Sequence, residues 1–186
     1  TRGKGTGYAP PNALEFKDLS LIIQLSCAPE DLWAKTSVAH QVVQSGLRLI
    51  VCQTPVSVNA RLAGIKHLNR LDNVMARAEV VKANADEGLM LDSDNRVICG
   101  TQSNLVVVKG SNLLTPQLDR AGVSGTCLTS LPQVLSQAGL AYNWQQVSIG
   151  LEDLDDADAL FMCNAVRGVQ AVGRFRDKNY DLDLVK

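Results

Sequence analysis

Between Glu87 and Pro116 the chain breaks into four short apolar segments separated by turn residues, and no unbroken stretch there has the length of a helix. Glu87–Asp92 (EGLMLD) is followed by the turn cluster Ser93-Asp94-Asn95, after which Arg96–Cys99 reads as its partner strand. Asn104–Val108 (NLVVV) runs into Lys109-Gly110-Ser111-Asn112, a hairpin turn, and Leu113-Leu114-Thr115 ends at Pro116. Strands this short are not stable in isolation. The rest of the chain must supply further strands and a cover, and the four segments are expected to form a β-meander.

The flanking sequence supplies both. Leu19–Cys27 (LSLIIQLSC), set between Pro10-Pro11 and Pro29, reads as a strand, and so does Gly46–Thr54 (GLRLIVCQT), closed by Pro55. The two are expected to lie side by side in one sheet, joined by a helical turn or loop over Glu30–Ser45. Ala60–Ala85 is expected to be a helix. Its apolar face would be Leu68, Leu71, Val74 or Met75, Ala78 and Val81, with Arg70, Asp72, Arg77 and Lys82 on the other faces. A second helix follows Gly122–Thr126, with Leu128, Leu131, Leu135 and Ala138 inward and Gly139 as C-terminal cap. Pro132 requires that helix to start near Ser130 or to kink. Gln145–Ile149, Ala159–Cys163 and Gly168–Phe175 read as strands, Leu151–Ala157 as a short acidic helix, and Asp177–Lys186 as the start of a helix. The fold class is α/β or α+β, strand-rich, with two principal helices.

Composition narrows the function classes. Eighteen basic and nineteen acidic residues leave a formal charge of −1, which gives no electrostatic pull toward nucleic acid or an anionic membrane. The longest apolar run, around Leu47–Cys52, is strand-sized and far short of a membrane span. Five widely spaced cysteines, Cys27, Cys52, Cys99, Cys127 and Cys163, show no CxxC pair and read as buried reduced thiols. Two distant histidines, His40 and His67, cannot build a metal site. Thr1–Tyr8 carries no hydrophobic signal core, so a cytoplasmic location is expected. Its alternating glycines have no strand ahead of them, which excludes a dinucleotide-binding turn.

Three places could carry chemistry. Lys66 stands among Leu62, Ala63, Ile65 and Leu68. An amine desolvated there loses its proton more readily and can attack a carbonyl to form a Schiff base. Alternatively, Lys66 is a surface lysine whose stem covers a helix start. Gly122-Val123-Ser124-Gly125-Thr126 precedes a helix, so its N–H groups could hold a phosphate, although glycine loops before helices are common. Asn164, after a buried strand, is either a binding residue or a turn asparagine. The carboxylates of Glu152, Asp153, Asp155, Asp156 and Asp158 have the spacing of a solvated face.

Taken in order, these pieces resemble a known family. Leu62-Ala63-Gly64-Ile65-Lys66-His67-Leu68-Asn69-Arg70-Leu71 is similar to the lysine segment of the aminodeoxychorismate lyases. These belong to the fold-type IV pyridoxal-phosphate enzymes, with the branched-chain and D-amino acid aminotransferases. The resemblance continues in register through Ala85–Asp92, Gly100-Thr101-Gln102-Ser103-Asn104-Leu105, Leu114-Thr115-Pro116, Ala121–Thr126 and Cys163-Asn164-Ala165-Val166. Arg2-Gly3 through Gly7-Tyr8-Ala9-Pro10-Pro11 is similar to the lyase's Arg-Gly loop, so nearly the whole chain is covered.

The resemblance implies the large domain of a fold-type IV enzyme over residues 1–186, with mixed strands in a barrel-like sheet. Residues 1–12 would be the interdomain loop, and a small N-terminal domain would be absent from the chain. It implies pyridoxal 5'-phosphate as cofactor, with Lys66 bonded to it and shuttling the proton. Thr126 and Cys127 would hold the phosphate through backbone N–H groups, with Asn164 as a second contact on that side. Arg2, Tyr8 and Ala165 would border the substrate, a small molecule, in a cytoplasmic homodimer. The implied reaction is elimination from 4-amino-4-deoxychorismate to 4-aminobenzoate and pyruvate, a step of folate biosynthesis.

Three positions depart from the family pattern. Cys99 stands where the family has a Glu paired with the pyridinium nitrogen, Leu128 where an Arg follows the phosphate loop, and Thr6 in place of the loop's second Arg. Two other outcomes therefore stand beside the lyase: an aminotransferase for D- or branched-chain amino acids, and a non-catalytic remnant of the family.

Overall fold

The strands Glu87–Leu91, Val97–Gly100 and Asn104–Lys109 are buried on both faces over most of their length, which is why they read as apolar runs without alternation. The structure, a computed structural model, describes residues 46–182 and the single position 23. The expected strand at Leu19–Cys27, the Glu30–Ser45 segment, Arg2 and Tyr8 lie outside the described residues, as does any pairing of the first strand with the second.

Nine strands and three helices are described. In chain order they are β1 (Leu47–Val51), α1 (Leu71–Lys82), β2 (Glu87–Leu91), β3 (Val97–Gly100), β4 (Asn104–Lys109), β5 (Asn112–Pro116), α2 (Thr126–Gln137), β6 (Asn143–Val147), α3 (Leu151–Asp155), β7 (Ala159–Asn164), β8 (Gly168–Phe175) and β9 (Lys178–Asn179). They form one mixed sheet in the order β3-β2-β1-β8-β7-β4-β5-β6, with β9 paired to β8.

The two expected hairpins are present: β2 with β3 antiparallel, and β4 with β5 antiparallel. They are not a meander. Strands β1, β8 and β7 stand between them, and β4 takes β7 as its second partner rather than β3. Strand β1 runs parallel to both β2 and β8, so the segment after it must cross over the sheet, and α1 is that crossover.

The inner face of the sheet is a single cluster. Leu47, Leu49, Leu89, Val97, Leu105, Val107, Leu160, Met162, Val172 and Phe175 converge on it from six strands, closed by Leu154 of α3. This is the mixed half-barrel expected of the large domain. On the outer face, α1 covers β2 and β3 through Ala76 and Val80, beside Cys52, Met90, Ile98 and Cys99. Helix α2 covers β4, β5 and β7 through Leu128, Leu131 and Leu135.

Other expectations are corrected by the structure. The helix expected over Ala60–Ala85 occupies only Leu71–Lys82: before Arg70 the backbone makes local turns, with the Leu62 N–H on the Asn59 carbonyl and the Ile65 N–H on the Leu62 carbonyl, and Gly64 bonds to the Gly122–Ser124 loop. Its buried residues are Ala76 and Val80. Leu68, Leu71, Val74, Met75, Ala78 and Val81, the face expected to be inward, are exposed among the described residues. Helix α2 starts at Thr126 rather than Ser130 and carries Pro132 within it, and Ala138 is exposed. Of the helix start expected over Asp177–Lys186, residues 177–181 are not helical, and residues 183–186 lie outside the described residues. Arg176 takes a positive φ, β9 pairs back on β8, and the Tyr180 hydroxyl donates to the Leu154 carbonyl at 2.7 Å.

Candidate active site

The site is assembled where two loops are bonded to each other. The Gly64 N–H donates to the Gly122 carbonyl at 3.1 Å, and the Ser124 N–H donates to the Gly64 carbonyl at 2.9 Å. This parallel bridge places the lysine segment alongside the glycine loop that leads into α2. Arg70 braces the same segment, donating to the carbonyls of Ile65 (2.8 Å) and His67 (3.3 Å) on either side of Lys66.

Lys66 itself is exposed, and so are Leu62, Ile65 and Leu68. The desolvated amine expected from its apolar neighbours is therefore not found among the described residues, because those side chains do not close over it. A cleft of about 450 Å3 lies beside the segment, lined by Asn59, Leu62, Ala63, His67, Arg70 and Gly122 among others. Neither Lys66 nor Thr126, Cys127 or Asn164 lines it.

The glycine loop is shaped by Asn104. Its side-chain amide donates to the Val123 carbonyl at 2.8 Å, and its Oδ1 would lie 2.2 Å from a Cβ placed on Gly125. Only glycine fits there. Gly122, at φ +86°, has the left-handed backbone that other residues resist. Gly125 is the residue before α2 and is extended. It offers no side-chain cap, and there is no acidic residue in the first turn. The N–H groups of Thr126 and Cys127 open the helix with no carbonyl of the preceding turn to bond. Together with the helix dipole, a helix start of this kind can attract an anion.

Strand β7 brings the next candidates into place. Cys163 pairs with Asn104 across the β4–β7 ladder, so Asn164 and Ala165 follow at the same end of the sheet as the glycine loop. Asn164 is a turn asparagine. Its Oδ1 accepts the N–H groups of Val166 (2.9 Å) and Arg167 (2.7 Å), and its amide reaches the Gln102 carbonyl at 3.4 Å. Ala165 is exposed beside it.

Two buried thiols near the site, Cys99 and Cys163, are neutral at physiological pH. Burial, and then the Glu87 carboxylate, push Cys99 up to about 12. Burial, and then Cys127, push Cys163 up to about 12. Cys99 packs under α1 and presents no charge. Leu128, at 1% exposure, anchors α2 to the sheet.

One polar residue of the site region escaped the sequence reading. Glu87 opens β2 and is buried, with its carboxylate directed at the loop Thr101–Ser103. The available signal was an acid heading an otherwise apolar strand, with a Thr-x-Ser turn shortly after it.

The family model described as amino-transferase class IV matches residues 2–175. An aminodeoxychorismate lyase of Vibrio harveyi is 36% identical over 129 residues, covering 69% of this chain and 47% of that protein. The crystal structure of a 4-amino-4-deoxychorismate lyase from Pseudomonas aeruginosa is similar with a TM-score of 0.72 and 35% identity, over 83% of this chain and 55% of that one. A T.th. branched-chain amino acid aminotransferase complexed with N-(5'-phosphopyridoxyl)-L-glutamate is similar with a TM-score of 0.63 and 27% identity, over 71% and 44%. The chain thus spans about half the length of these relatives.

Proposed function

The chain belongs to the class IV aminotransferase family, and from that premise we propose that it is the cofactor-binding part of an aminodeoxychorismate lyase, acting on 4-amino-4-deoxychorismate to release 4-aminobenzoate and pyruvate. The observation that carries the reading is the bridge between Gly64 and the Gly122–Ser124 loop. It brings the segment that carries Lys66 alongside the loop that leads into the uncapped start of α2, and a phosphorylated aldehyde needs both an amine and an anion-binding end.

The residues present fit pyridoxal phosphate. Gly125 brings no side chain of its own to the first turn of α2, and no carboxylate in that turn competes for its N–H groups. Thr126 and Cys127 would hold the phosphate by those N–H groups. Asn164 would stand on the same side, with Ala165, Arg2 and Tyr8 bordering the substrate. Lys66 would bond the cofactor through its amine and carry the proton during the elimination. When bound, the cofactor supplies an electron sink, and aromatisation of the product ring favours elimination. Cys99, a neutral thiol, can bound the ring but cannot pair with a protonated nitrogen as a carboxylate would. Leu128 leaves the phosphate without a guanidinium at that position and secures the helix instead.

Among the described residues no helix is long and apolar enough to cross a membrane, in keeping with a small-molecule enzyme. We assign it to the cytoplasm, as a homodimer. A second reading, a branched-chain aminotransferase, is favoured by the similarity to the aminotransferase complex above. Product analysis separates the two. The protein carrying this chain, given 4-amino-4-deoxychorismate, should release 4-aminobenzoate and pyruvate in equal amounts, and Lys66→Ala should reduce the rate by at least about a thousandfold. Amino-group exchange with branched 2-oxo acids and no 4-aminobenzoate would make the aminotransferase correct.

A further inference from the structure

We propose that Glu87 is the positioning residue for Asn164, acting through the loop Thr101–Ser103. The inference builds on the reading above, in which Asn164 meets the cofactor.

The Glu87 side chain is 9% exposed and heads a strand whose next three residues are buried. A carboxylate so placed is costly unless its lone pairs are occupied. They are. Oε1 accepts the N–H groups of Gly88 (2.9 Å) and Thr101 (3.0 Å) and the Thr101 hydroxyl. Oε2 accepts the Ser103 hydroxyl (2.7 Å) and the Gln102 N–H (3.4 Å). Of these five donors, four come from three consecutive residues. Arg77 stands 3.9 Å away and is also bonded to the Asp86 carbonyl. The loop is therefore folded around a buried carboxyl group.

The loop passes this constraint on. The Gly100 N–H donates to the Ser103 carbonyl at 2.7 Å and closes the turn. From α1, the Asn73 amide donates to the Thr101 carbonyl at 3.0 Å. Gln102 is held by its N–H on Glu87, and its carbonyl receives the Asn164 amide. The other end of Asn164 is fixed by its own turn. Glu87 thus helps to set where the acceptor of the Asn164 amide, the Gln102 carbonyl, stands. A glutamine at position 87 would bring an NH2 group toward a ring of donors, and the loop would have to open.

The test uses the whole protein, with Glu87→Gln, Glu87→Asp, Asn164→Ala and the double variant Glu87→Gln/Asn164→Ala. Without cofactor, the side-chain amide signals of Asn164, identified by their loss in Asn164→Ala, should move in Glu87→Gln and return toward the native position in Glu87→Asp. With pyridoxal phosphate, Glu87→Gln should weaken binding by about tenfold, and Asn164→Ala should add little on top, because both remove one arrangement. Unmoved Asn164 signals in Glu87→Gln overturn the proposal. So do binding factors that multiply in the double variant, which would make Glu87 a general structural residue. Moved signals with unchanged cofactor affinity in every variant uphold the positioning and count against the cofactor role of Asn164. If Glu87→Gln does not fold, Ser103→Ala, which removes a single donor, takes its place in the comparison.

Discussion

The two twelve-residue helices cover the same sheet in different ways. Helix α2 is held by a large apolar side chain, Leu128, with Leu131 and Leu135 packed behind it, and its N-terminus is left bare. Helix α1 buries only Ala76 and Val80 and is held instead by polar links. Asn73 bonds to the Thr101 carbonyl, Arg77 to the Asp86 carbonyl, and Glu79 to the backbone of Gln53 and Thr54 and to the Thr54 hydroxyl. The difference follows from what each helix does. A helix that offers its first turn to a ligand must be anchored elsewhere, by packing. A helix that braces loops needs side chains which bond to those loops, and its apolar contact can be small.

The contrast can be broken in three places. Leu128→Ala should have the largest effect, about 3 kcal/mol of lost stability by denaturant unfolding, since a fully buried leucine leaves a cavity. A loss under about 1 kcal/mol would mean that α2 is not held by packing.

The next effect compares the two faces of α1. Val80→Ala should cost about 2 kcal/mol, whereas Val74→Ala, at a position 62% exposed, should stay within about 0.5 kcal/mol. Equal costs would mean that the outer face is covered as well.

The smallest effect sharpens the polar side of the comparison. Glu79→Gln should cost about 1 kcal/mol. Burial raises the Glu79 pKa, but the hydrogen bonds from the Thr54 hydroxyl and the Gln53 and Thr54 N–H groups outweigh it and hold the carboxyl below its ordinary value. A depressed folded-state pKa stabilises above the unfolded value, and that contribution is lost as pH falls through the folded one. The gap between native and Glu79→Gln should therefore be full at neutral pH and close on acidification below the usual glutamate range. A gap independent of pH would show that the charge is not what bonds the loop.

Local patterns were legible where the chain bonds to itself nearby. Strand β8 occupies Gly168–Phe175 as expected, and both hairpins close at the turns that their Asn, Asp and Gly residues mark. What could not be read was pairing at a distance. Strands β1, β8 and β7 enter between the hairpins, and no local residue announces that. The periodicity of Ala60–Arg70 looked helical, but in its midst Gly64 bonds through its N–H and its carbonyl to Gly122 and Ser124, about sixty residues away. The apolar stripe of α1 misled for a related reason. The sheet offers room only for Ala76 and Val80, since a Cβ on Gly88 would already meet Val80 at 2.6 Å. In the site, the ordered motifs identified the lysine segment and the glycine loop as partners. Glu87 stayed hidden because its role depends on a loop folding back around it.

The central claim is that Lys66 and the start of α2 form one cofactor site. Titration of the protein with pyridoxal phosphate, followed by absorbance, tests it most directly. The account predicts a saturable long-wavelength band that Lys66→Ala abolishes and that inorganic phosphate weakens by competing for the Thr126 and Cys127 N–H groups. A band that survives Lys66→Ala, or no band in the native protein, would contradict it.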